Sequence, residues 1–276
     1  MIPDSNHMTD AEYHAHPAMN YSRLKHLRES PLHFRNACDN PKPQSASMSW
    51  GSLVHLLCFE ATRFDQVYKV TNETNKRLKA YKVAKAEAEA EGLQLVTDTD
   101  LETANRAARN VLAHPWVAKL LDCGSMTYRV GKTAVESMHF WKQPEGFGDC
   151  RMKTDVSRLF DDTLLGCDLK TTRSTHRFSF RRDARMFGYD LQAAHYLHGL
   201  ADKHGVELGN VTLDWRIIAV ENVAPYDVTV YQFSVDTIDN ALAEYDALGK
   251  LYRTCVENNS WPGRGRHDLL DLTWRA

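Results

Sequence analysis

Cys150-Arg-Met-Lys-Thr-Asp155-Val-Ser-Arg-Leu-Phe160-Asp-Asp-Thr-Leu-Leu-Gly-Cys-Asp168-Leu-Lys170-Thr-Thr172 reads as two strands joined by a turn at Asp161-Asp162. With a two-residue turn, Phe160 pairs with Thr163 and the register brings Asp155 opposite Asp168. A four-residue turn would move Asp155 by two positions along its partner without changing its face. Asp168 and Lys170 leave the second strand on one side, and Leu169 leaves it on the other. Two carboxylates and an ammonium on one surface suit a divalent cation and an activated water. Asp-x-Lys alone also fits an exposed hairpin edge closed by a weak salt bridge. The second acid favours the metal reading, because neighbouring carboxylates repel unless a cation lies between them.

Working outward, the chain has 276 residues, 43% hydrophobic and 25% charged, enough for one elaborated domain or two small ones. A formal charge of −2 provides no global basic field, so contact with nucleic acid requires a local patch. The six cysteines, Cys38, Cys58, Cys123, Cys150, Cys167 and Cys255, form no Cys-x-x-Cys pair. Their scatter argues against a zinc knuckle or disulfide framework and points to a reducing cytoplasm. The first ten residues show no export signal, and no apolar run reaches membrane length.

Upstream, Asn20 to Arg28 reads as a helix interrupted by Pro31, and residues 40–47 as a mobile polar loop. Ser49 to Glu60 predicts a buried helix whose one polar interior residue is His55. Lys76 to Glu91 suits a solvent-facing helix, and Thr97 opens a further helix that His114-Pro115 breaks. Tyr128, Val130, Val135, Phe140 and Trp141, with breaks at Gly131 and Gly146 to Gly148, predict an antiparallel meander ending in the hairpin. A helix from Arg181 to His204, strands over 211–221 and 226–233, and a helix over 235–257 complete the pattern. No internal repeat or domain linker is visible. The expectation is a single domain over 1–276, mainly helical over 1–124, with the core sheet over 125–276.

On the helix after the hairpin, Gln192 and Tyr196 share a face, with Tyr189 just below. They form a packed polar seam or, beside a metal, a pair that orients water and phosphate. His55 is a satisfied core histidine or a ligand. Between hairpin and helix, Arg173, Arg177, Arg181, Arg182 and Arg185 interleave with Phe178 and Phe180. This is a solvated face or a mouth that contacts the phosphate backbone. Glu136, on a preceding strand, is a surface residue or reaches a second cation. His14-Ala-His16 lacks further ligands, and neither a phosphate-binding Gly loop nor a Gly-x-Ser-x-Gly elbow is present.

Taken in order, Gly51-Ser-Leu-Val-His55, Asp155, Asp168-Leu-Lys170 and Gln192-Ala-Ala-His-Tyr196 resemble the motif series of the PD-(D/E)xK nucleases, RecB-like and RecE-like branch. Ser30-Pro-Leu-His-Phe34, Cys150-Arg-Met-Lys-Thr-Asp155 and Gly188-Tyr-Asp-Leu-Gln192 extend the resemblance to the RecE-type exonucleases of phages and prophages, as does Trp261-Pro-Gly263. The resemblance implies an α/β fold, a restriction-endonuclease-like core with a mixed central sheet flanked by helices. It implies that His55, Asp155, Asp168 and the Leu169 carbonyl hold metal and that Lys170 acts on the attacking water or phosphorane. Gln192 and Tyr196 would support them.

The same resemblance implies two Mg2+ ions, with Mn2+ as a substitute, and a ring-shaped homotetramer. It implies 5′-to-3′ exonuclease action on linear double-stranded DNA ends, in recombination, beside a single-strand annealing protein. Ser22 and Arg23 are candidates for the terminal phosphate, and Arg173, Arg177, Arg181 and Arg182 for the DNA backbone. Arg173 departs from the small or acidic residue that commonly follows Lys-Thr-Thr. Cys255 stands alone where related iron–sulfur nucleases carry a cysteine cluster, so no iron–sulfur cluster is expected. The competing readings are a restriction-like or structure-selective endonuclease and a catalytically idle DNA-binding module of the same fold.

Overall fold

A computed structural model describes residues 8–41, 46–121 and 133–264. Tyr128, Val130 and Gly131 of the expected meander, loop residues 42–45 and Cys123 lie outside the described residues. The first half runs α1 (Asp10–Ala15), α2 (Tyr21–Leu27), α3 (Pro31–Asp39), α4 (Ala46–Phe59), α5 (Phe64–Val67), β1 (Tyr68–Thr71), α6 (Lys79–Ala90), β2 (Gln94–Thr97), α7 (Asp98–Ala113) and α8 (Pro115–Leu121). The second half runs β3 (Ala134–Gln143), β4 (Gly148–Phe160), β5 (Thr163–Thr172), α9 (Arg177–Phe187), α10 (Tyr189–His204), β6 (Thr212–Glu221), β7 (Val228–Gln232) and α11 (Val235–Glu257).

Five strands form a mixed sheet in the order β3-β4-β5-β6-β7, in which only β5 and β6 run parallel. That parallel step requires a crossover, and α9 and α10 supply it. The hairpin has the register expected of a two-residue turn. Phe160 pairs with Thr163, and the ladder continues to Val156 opposite Cys167. One step further Asp155 faces Asp168, and there the ladder stops.

Successive β5 residues point to opposite layers. Leu164 joins a core with Leu191 and Leu197 of α10 and Tyr245 of α11. Leu165, Cys167 and Leu169 join Leu53 and Val54 of α4 and Val111 of α7. The helical first half and the sheet thus share a core. Gly51 lets α4 approach closely, since a Cβ there would lie 3.1 Å from Thr171 Oγ1 on β5.

Three local expectations need correcting. Pro31 begins α3, with Ser30 as its N-cap, because a ring without an N–H is tolerated at the first helical position. The helix expected over Arg181 to His204 begins at Arg177 and is broken at Gly188, whose φ of 72° closes α9 before α10 starts. The mainly helical first half also holds a parallel pair, β1 with β2. At four residues each, these strands are too short for alternation to reveal them.

Candidate metal centre

The site forms where the β4–β5 ladder stops. Asp155 accepts a 2.6 Å hydrogen bond from the Leu169 N–H, so its side chain replaces a rung of the sheet. Asp168 receives the Gln192 amide at 2.7 Å on Oδ1, and its Oδ2 lies 2.6 Å from Lys170 Nζ. The Lys170 ammonium also sits 5.0 Å over the Tyr189 ring. Tyr196 bonds to Gln192 in turn, and burial first, then Tyr13 and Asp168, hold its phenol neutral, well above its ordinary pKa. The α10 spacing that aligns Tyr189, Gln192 and Tyr196 therefore builds a line of support under Asp168 and Lys170.

His55 enters from α4, on the opposite layer. Its Nε2 lies 2.8 Å from the Leu169 carbonyl, an acceptor, so that nitrogen carries the proton. Nδ1 faces the acids, 3.4 Å from Asp155 Oδ2 and 3.9 Å from Glu136 Oε1. His55 is not a core histidine: its side chain keeps 27% exposure. Leu169 O, expected to complete a metal shell, is engaged by that imidazole.

Glu136 is the residue whose place the sequence left open. It faces Asp155 across the β3–β4 ladder, between the pairs Val135 with Val156 and Ser137 with Thr154. Its φ of 48° is left-handed inside a strand, a strain of about 1–2 kcal/mol. Donor atoms of His55, Glu136 and Asp155 lie within 4.8 Å of one another. Burial pushes the Asp155 carboxyl up to about 7, with Asp168 and Glu136 adding to the rise and His55 opposing it. Burial disfavours a charged imidazole, yet Asp155 and Glu136 outweigh it and raise His55. The two carboxylates supply the hard oxygens that Mg2+ or Mn2+ prefers, and the imidazole is a third donor once it gives up its proton.

The remaining candidates divide by position. Ser22 is exposed on α2, whereas Arg23 turns away to donate to the Pro17 carbonyl at 2.5 Å. Lys25, one turn from Ser22 on the same face, was not singled out from sequence. Lys25 is exposed, and partial desolvation first, then the charge of Lys170, lowers its pKa. The i, i+3 spacing of Ser22 and Lys25 was the available signal. Arg173, Arg177, Arg181 and Arg182 are exposed, the last three on α9, and Arg182 pairs with Asp183 at 3.2 Å. Phe178 is 72% exposed beside them, while Phe180 is buried and stacks on Tyr231.

The model of a family described as a PDDEXK-like domain of unknown function (DUF3799) matches residues 20–273. No protein of curated function matches the chain. A solved structure of a candidate exonuclease from Eubacterium rectale has a TM-score of 0.60 at 13% identity, covering 97% of this chain and 96% of that one. This is a likeness of fold. A protein from Vibrio cholerae reaches a TM-score of 0.27 at 13% identity, over 87% of this chain and 57% of its own. Among the described residues, no helix is long and apolar enough to cross a membrane.

Proposed function

Because the chain belongs to the family of PDDEXK-like domains of unknown function (DUF3799), we propose that it is a divalent-cation-dependent deoxyribonuclease, a RecE-like 5′-to-3′ exonuclease on linear duplex ends. One observation carries this reading. Asp168 is bonded to Gln192 and paired with Lys170, Asp155 is held by the Leu169 N–H where the β4–β5 ladder stops, and His55 and Glu136 stand against Asp155.

His55, Glu136 and Asp155 would hold the cation, Mg2+ by preference, with Asp168 beside them. When bound, the cation lowers the pKa of water and offsets phosphate charge. The chain's own groups do the rest. Lys170 would present a half-buried positive charge to the phosphate as charge accumulates in the transition state. Gln192, backed by Tyr196, keeps Asp168 aimed. Lys25 and Ser22 from α2 and the α9 arginines would receive the flanking backbone. In this reading the enzyme works on DNA ends in recombination, in the cytoplasm, as a ring-shaped homotetramer beside an annealing protein.

Digestion with Mg2+ of a linear duplex labelled at its 5′ or 3′ end, against a covalently closed circle, tests the proposal. Early release of the 5′ label with the circle intact is expected. Early release of the 3′ label reverses the polarity, cutting of the circle makes the protein an endonuclease, and cleavage of neither leaves a DNA-binding module. Asp168→Ala should abolish cleavage in a protein that remains folded.

A further inference from the structure

Three large apolar side chains are exposed on α9: Phe178 at 72%, Met186 at 66% and Phe187 at 52%. Scattered apolar residues on a surface need no explanation, but Phe187 is joined to the site. Its ring stacks on Tyr189, with centroids 6.0 Å apart and planes inclined by 29°, and the Tyr189 ring lies 5.0 Å from the Lys170 ammonium. The backbone beneath it is held from α2. The Tyr21 hydroxyl donates to the Phe187 carbonyl and, at 3.0 Å, to the Gly188 carbonyl, while Arg28 pairs with Asp190 at 3.0 Å. An exposed ring on a braced backbone loses little freedom when a ligand covers it.

The surroundings are cationic. Arg185 is exposed two residues before Phe187, and Lys25 is exposed on α2, one turn after Tyr21. The acids that flank the ring in sequence are paired, Asp183 with Arg182 and Asp190 with Arg28. Cations beside an open aromatic face fit a phosphate with its base, and the contact with Tyr189 puts that face next to Lys170. Within a duplex each base is covered on both faces by its neighbours, and only the last pair at an end has a free face. We propose that Phe187 stacks on the free face of the terminal base and is a specificity-determining residue for DNA ends. An internal stretch of duplex would bring phosphates to the same cations and nothing to the ring. The inference rests on the nuclease reading, which places the reacting phosphate at Lys170, and gives a physical reason for a preference for ends.

Fluorescence anisotropy with Ca2+ in place of Mg2+ tests this by binding, without turnover. Three DNAs carry the dye in a hairpin loop: a duplex with one open end, the same duplex with abasic nucleotides at that end, and a dumbbell closed at both ends. Phe187→Ala should bind the open end about 5- to 150-fold more weakly than wild type, the range for one lost base stack. Phe187→Trp should restore the affinity. Wild type and Phe187→Ala should bind the abasic end alike, and the dumbbell alike. Circular dichroism checks folding, and Phe187→Leu replaces Phe187→Ala should the latter unfold. An unchanged affinity for the open end, or a loss that persists on the abasic end or the dumbbell, overturns the inference and leaves the ring to a protein contact or to the scaffold. Cleavage of the open duplex in Mg2+ is scored separately, and its absence from the wild type overturns the nuclease reading. Failure of the wild type to bind any of the three DNAs overturns both.

Discussion

Replacing Gln192 by Leu removes the amide that aims Asp168 while keeping a side chain of similar volume. Gln192 is 4% exposed, and its Nε2 lies 2.7 Å from Asp168 Oδ1. A hydrogen bond to a charged group contributes about 1.5–3 kcal/mol. At about 1.4 kcal/mol per tenfold in rate, its loss from the transition state alone slows cleavage by about 10- to 150-fold. Asp168 would still have Lys170 at 2.6 Å, so the variant should be slow but not dead. The orphaned oxygen also costs the fold about 1–3 kcal/mol, seen as a lower melting temperature. The two effects separate experimentally. Single-turnover cleavage of an end-labelled duplex at saturating Mg2+ reads the first, and thermal melting reads the second. A folded Gln192→Leu protein that melts earlier but cleaves within about twofold of wild type would refute the reasoning, and the residue would be a packed polar seam after all.

Cation affinity should rise with pH. Asp155, pushed up from 3.8 to about 7, keeps its proton below that value in the metal-free protein, and a cation must displace it. Mn2+ affinity should therefore fall by up to about tenfold per unit below pH 7 for that one proton. His55, raised to about 9, adds a second proton to displace over the range up to that value. Calorimetric titrations at pH 6, 7 and 8 check this, and a flat profile would refute it. By the same linkage both protons favour the metal-free fold, so its melting temperature should fall as pH rises from 5 to 9. Gly51→Val should cost about 1–3 kcal/mol of stability and weaken Mn2+ binding together. Its side chain collides with Thr171 one turn before His55 and pushes α4 off β5. A melting shift without any change in affinity would show that His55 does not depend on that contact. Arg177→Ala with Arg181→Ala should leave melting unchanged and flatten the salt dependence of DNA binding, by about 0.9 in logarithmic slope per lost phosphate contact. An unchanged slope would remove α9 from the interface.

The hairpin register was legible because turn length and alternation decide it locally, and Asp161-Asp162 permits a two-residue turn. That Gln192 and Tyr196 share a face was legible for the same reason, since helical spacing decides it, whereas the meeting of Gln192 with Asp168 was not, because it joins a helix to a strand. His55 was legible as a candidate but misread as interior, because an apolar helix does not reveal which edge reaches a site. The break at Gly188 was hidden by the strong helical pattern on both sides of a residue that helices tolerate at modest cost.

The amino-acid sequence by itself determined the hairpin strands, most of the long helices, their faces and the identity of the acids and lysine on the hairpin, because period-two and period-3.6 patterns are properties of neighbours along the chain. Only the tertiary structure decided that Glu136 stands opposite Asp155 in a left-handed backbone, and that Lys153 gathers Asp10, Glu60 and Glu136 around one ammonium. Those encounters join residues as far apart as Asp10 and Lys153. Which distant charges meet is set by how the layers pack, and no local period records it.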